Sequence, residues 1–142
     1  MKTLKSTVFA FSFFALSCAS APTSSTKPAV SQTSSAERLA NAKETLKANP
    51  NSVAIYARGI VCPSCAIGIR VKMSDLACVD NKRLNGGIKL NAKTQLVTVA
   101  IRDGKGVDRD ALSLAVRRAG FDPVALFWLN DTVIQREPLA GK

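Results

Sequence analysis

Histidine is absent from all 142 residues of this chain. That single absence excludes Ser-His-Asp and Cys-His catalysis, two-histidine zinc sites and blue-copper sites. Any chemistry must rest on sulfur, carboxylate or lysine. Aromatic residues are few, with one Trp and one Tyr, and they do not interleave with the scattered Lys and Arg, which argues against nucleic-acid binding. Acidic residues are outnumbered, Asp+Glu 10 against Lys+Arg 20, for a formal net charge of +10. Such a basic, solvated surface suits docking to an acidic partner or to anionic lipid. The apolar run Val8 to Leu16 is too short to cross a bilayer as a stop-transfer helix.

What that run does fit is an export leader. A basic start (Lys2, Lys5), the apolar run and the small residues Ser17-Cys18-Ala19-Ser20-Ala21 together read as a signal peptide over 1–18. Without Lys2 and Lys5 the mature chain carries about +8. Ala15-Leu16-Ser17-Cys18 resembles a bacterial lipobox, although lipoboxes usually carry leucine where Ala15 stands. Lipidation at Cys18 is the preferred processing route, and cleavage after Ala19 or Ala21 is the alternative. The expected location is therefore the periplasm, free or lipid-anchored to a bacterial membrane. Residues 19–51 read as a flexible tether with a short helix from Ala36 to Lys47. Ser35 is its expected cap, Asn49-Pro50 its end, and Leu39 and Leu46 its thin apolar face. That helix is expected to pack loosely, if at all.

From Ser52 the pattern is that of one small domain, 52–130, followed by a tail, 131–142. Val53 to Val61 alternates as a strand with Val53, Ile55, Ala57 and Ile60 turned inward. Pro63 to Leu76 reads as a helix with Ile67, Val71 and Leu76 as its apolar face and Met73 beside it. Ile88 and Leu90, then Leu96 to Ile101, give two strands around the turn Asn91 to Thr94. Asp108 opens a second helix that Gly120 stops, and Phe121 to Leu129 is the last strand. The order β-α-β-β-α-β predicts an α+β fold, a ferredoxin-like sandwich with a four-stranded antiparallel sheet and two helices on one face.

The most informative stretch is Gly59-Ile60-Val61-Cys62-Pro63-Ser64-Cys65. It sets two thiols at a strand-to-helix turn, where free backbone N–H groups and the helix dipole favour thiolate. Paired thiolates either hold a soft metal ion or exchange between dithiol and disulfide. The stretch is similar to the Gly-Met-x-Cys-x-x-Cys motif of heavy-metal-associated domains, the module of copper chaperones and of the periplasmic mercuric-ion binding protein. Ala115-Val116-Arg117-Arg118-Ala119-Gly120-Phe121 resembles that family's closing Ala-Ile-x-x-Ala-Gly-Tyr/Phe. Ile60 stands where the family has a buried methionine, Cys78 where it has glycine, and the 80–87 loop is longer.

The resemblance implies that Cys62 and Cys65 ligate one Cu(I) or Hg(II) ion, with no organic cofactor and no catalytic residues. It implies a metal transporter or another metal-binding protein as partner, and an aromatic such as Phe121 near the loop. The chain then reads as an exported metal carrier and not an enzyme. A periplasmic thiol–disulfide exchange protein using the same pair is the alternative, and a degenerate domain that docks through its sheet is a third reading. Cys78, beyond the far end of the helix, reads as a buried small hydrophobe. Trp128 reads as a packing residue, and the sequon Asn130-Asp131-Thr132 as chance.

Overall fold

The computed structural model describes residues 33–139. The predicted leader, Cys18 and the tether up to residue 32 lie outside the described residues. The elements run α1 (Ser35–Ala48), β1 (Ser52–Arg58), α2 (Cys65–Met73), β2 (Ile88–Asn91), β3 (Leu96–Ala100), α3 (Arg109–Arg118), β4 (Asp122–Asn130) and β5 (Val133–Pro138). The strands form one five-stranded sheet in the order β2-β3-β1-β4-β5, and every neighbouring pair is antiparallel. The class is α+β, as expected. The count is not: there are five strands and three helices where four and two were predicted around the sheet.

The fifth strand lies in what the sequence suggests is a tail. Asn130 pairs with Val133, leaving Asp131 and Thr132 as a two-residue hairpin loop. Asp131 takes the left-handed conformation (φ 55°) that such tight hairpins demand. The Asn-Asp-Thr triplet is thus a turn. β5 itself carries Gln135, Arg136 and Glu137 and contributes no buried residue, so hydrophobic alternation did not mark it.

Strand alternation divides the core into two layers. On one face Val53, Ile55 and Ala57 of β1 meet Ile69 and Met73 of α2 and Leu112, Ala115 and Val116 of α3. On the other, Ala54, Leu96, Ala125 and Phe127 meet Ala42 and Leu46 of α1. The helix expected to pack loosely is therefore seated on the sheet, with Leu46 only 2% exposed. Its side chains reach across as well. The Arg38 guanidinium lies 3.7 Å from the Tyr56 ring centroid and donates to the Thr94 carbonyl at 2.9 Å. Asn41 Oδ1 accepts from Asn91 Nδ2 and from Thr94 Oγ1. Its cap is Ser34 and not Ser35, the Ser34 hydroxyl accepting from the Glu37 N–H at 3.1 Å. Just ahead, Thr33 Oγ1 donates to the Lys93 carbonyl at 2.5 Å.

Between α2 and β2 the chain is held by short contacts. Arg70 Nε donates to the Asn85 carbonyl at 2.7 Å, and Val79 bridges to Ile101. Gly87 sits at φ 85°, where a Cβ would come within 2.5 Å of a Val79 methyl. Only glycine meets both conditions. The approach seats Gly87 against Val79, which is fully buried in the core beside Cys78.

Candidate metal centre

The thiols stand where β1 ends and α2 begins. Gly59, at φ 96°, turns the chain out of the strand, and the Phe121 ring lies 3.6 Å from where its Cβ would be. Ile60 then drops back into the core, fully buried, in line with its expected inward orientation. The Ile60 carbonyl accepts from Gln95 Nε2 at 3.1 Å. Gln95 also accepts from the Ala57 N–H through its own carbonyl. Two bonds from one residue thereby fix the descent into the loop. Gln95 was not foreseen, because no motif marks a side chain that reaches from the start of one strand to the loop after another.

Cys62 Sγ and Cys65 Sγ are 2.8 Å apart, and Cys62 Sγ is 3.0 Å from Ser64 Oγ. Both cysteines are free and half-buried, and Cys65 leans on the core beneath α2. Ser64 occupies the N-cap position but makes no capping bond. Its hydroxyl, which would normally satisfy a helix N–H, bonds sulfur instead. The first turn of α2 carries no acidic residue, so the positive end of the helix is left to the thiols. Hydrogen bonding from the Cys65 thiol, then from the Ser64 hydroxyl, with backbone help from both residues, holds the Cys62 thiol below the ordinary thiol range.

A lowered pKa means that more Cys62 is thiolate at neutral pH, and thiolate is the reactive form. In the reduced protein Cys62 should therefore alkylate faster than the buried Cys78, and its pH–rate curve should sit to the acid side of a free cysteine. Ser64→Ala removes one stabilising bond and should move that curve back toward higher pH. Peptide mass mapping of iodoacetamide-treated protein across pH 5–9 reads both effects; identical curves for the two proteins would refute the role given to Ser64.

Among the described residues no group of three or more His, Cys, Asp and Glu side chains is placed to hold an ion. Cys78 does not join the pair: it is 6% exposed and belongs to the core beyond α2. Among the described residues the available donor set is two sulfurs. Two soft donors suit a soft ion that accepts low coordination and suit zinc poorly, since zinc seeks four ligands.

α2 is turned otherwise than the sequence pattern predicts. Ile67 and Val71, expected to face inward, are 60% and 58% exposed, whereas Ile69 and Met73 are fully buried. Both pairs are spaced i, i+4, so periodicity fits either one equally well. Trp128 is half-buried against the core, with the Arg109 guanidinium 5.5 Å from its ring centroid. No family model, no curated protein and no solved structure matches this chain.

Proposed function

We propose that this chain is an exported soft-metal carrier, similar in type to heavy-metal-associated domains, that holds one Cu(I) or Hg(II) between Cys62 and Cys65. The observation that carries the reading is the pair of free cysteines at a half-exposed loop, with no third donor from the described residues; at 2.8 Å the two sulfurs hydrogen-bond to each other, and they would move apart to admit an ion. Two-sulfur coordination leaves room for an incoming thiolate to add before a departing one leaves, so the ion is passed on without being stripped. Val61, next to Cys62 in the chain, is exposed and gives a partner transporter or metal-binding protein an apolar contact beside the ion. The order β2-β3-β1-β4 with α2 and α3 on one face supports a ferredoxin-like plan, enlarged here by α1 and β5. Export, and lipidation at Cys18, belong to the same reading and rest on the leader alone.

One observation favours the alternative of thiol–disulfide exchange. The Cys62 thiol is held low in pKa beside a second sulfur, as a nucleophilic dithiol requires. A competition titration of the reduced protein against a Cu(I) chelator separates the two. One ion bound tightly, with negligible turnover of an insulin-type disulfide, is the expected result. Rapid insulin reduction that is lost in Cys62→Ala would favour the exchange reading.

A further inference from the structure

The loop between α2 and β2 holds the single Asn-Gly pair of the chain, Asn85-Gly86. Asn85 bridges to Ile88, its N–H donating to the Ile88 carbonyl at 3.3 Å. Gly86 and Gly87 between them take φ 64° and 85°, the two positive angles that a type I′ turn needs. Asn85 is exposed. Neither its side-chain amide nor the Gly86 N–H makes a hydrogen bond among the described residues. The amides of Asn49, Asn51, Asn81 and Asn91 differ, since each donates to a carbonyl or side-chain oxygen.

Arg70 supplies the other half of the arrangement. Its Nε donates to the Asn85 carbonyl at 2.7 Å. Its stem crosses Gly86 so closely that a Cβ there would lie 2.7 Å from Arg70 Cδ. The Asn85 carbonyl and the Gly86 N–H belong to one planar, conjugated peptide group. When that N–H loses its proton, negative charge moves onto the carbonyl oxygen. A guanidinium bonded to this oxygen stabilises the anion and so makes the N–H a stronger acid.

We propose that Asn85-Gly86 is a self-modifying site, at which Arg70 promotes conversion of Asn85 to aspartate and isoaspartate. Hydroxide takes the Gly86 N–H proton, and the nitrogen left behind attacks Asn85 Cγ. A new C–N bond forms, the bond from Cγ to Nδ2 breaks, and ammonia leaves with a proton returned by water. Water then opens the succinimide ring at either of its carbonyls. One opening gives aspartate, and the other gives isoaspartate with the side-chain carbon in the backbone path. Both add a negative charge to the loop that Arg70 holds. The isoaspartyl form also lengthens the turn, which Gly87, already close against Val79, leaves little room to absorb.

The test incubates the full-length protein at mildly alkaline pH in heavy-oxygen water. Peptide mass mapping then locates the incorporated label, and chromatography separates the two products. Label is expected at residue 85 well before any other asparagine. Arg70→Gln should slow the conversion about tenfold, the effect of about one unit of N–H acidity. Arg70→Lys keeps a positive donor and should fall between that variant and the wild type. Lys72→Gln, also on α2 and exposed, should convert at the wild-type rate, as should Cys62→Ser/Cys65→Ser. A loosened loop reaches the ring-closing geometry more readily, so damage to the fold would speed the reaction and not slow it. An unchanged or faster rate in Arg70→Gln, a rate in Arg70→Lys as low as in Arg70→Gln, or label appearing equally early at Asn51 or Asn81 would overturn the proposal.

Discussion

Cys62→Ser/Cys65→Ser is expected to lose Cu(I) affinity by about 1,000-fold or more. Serine keeps the size of cysteine and the geometry of the loop but offers a hard, neutral oxygen in place of a soft thiolate. Structural zinc sites are worth about 10–16 kcal/mol, so the 4 kcal/mol that corresponds to about 1,000-fold is only about a quarter to two-fifths of what a metal site can supply. Each single variant should lose much of the effect, because one sulfur cannot hold a two-coordinate ion in place. Cys78→Ser should retain Cu(I), since Cys78 lies within the core and away from the pair. The measurement is competition against a chromogenic Cu(I) chelator under reducing conditions. Undiminished affinity in the double variant would remove the basis of the proposed function. Zinc should bind weakly to the wild type and respond little to the same substitutions.

Leu46→Ala should destabilise the folded protein by about 3 kcal/mol, the usual range for a leucine cut out of a packed layer. Leu46 is 2% exposed between α1 and the sheet, where Ala54, Ala125 and Phe127 close around it. The neighbouring alanines are too small to collapse into the space, which favours the larger cost. For about a hundred folded residues the change corresponds to a melting temperature lower by about 10–20 °C. Thermal unfolding followed by circular dichroism tests it, and Lys43→Ala, on the exposed side of α1, serves as control. An unchanged midpoint in Leu46→Ala would return α1 to the role of a loosely attached segment.

The parts of the fold that could be read from sequence are those where one physical demand dominates. β1 was legible because Val53, Ile55 and Ala57 all face one core. The limits of α3 were legible because Asp108 accepts from the Ala111 N–H at its start and Gly120 leaves it at φ 89°. The thiol loop was placed correctly because a cysteine pair at a strand end needs no long-range knowledge. The parts that escaped depend on partners remote in sequence. α1 looks weakly amphipathic alone, since Ala42 matters only once Ala54 and Phe127 face it. α2 is apolar on two sides, and only the packed sheet decides that Ile69 rather than Ile67 is buried. β5 exists because the Asp131 turn returns the chain alongside β4, not because its own residues are apolar.

The contact of Thr33 with the Lys93 carbonyl gives the molecule a direction. Lys93 belongs to the same turn as Thr94 and Gln95, and Gln95 grips Ile60 of the thiol loop. The chain therefore enters its folded part at the sulfur-bearing end. α1 then runs 14 residues, about 20 Å at helical rise, and returns the chain to the far end of the sheet, where β1 begins. The described part of the chain thus starts beside the sulfurs, and a spectroscopic label placed at Thr33 would report on the thiol loop and not on the opposite end of the sheet.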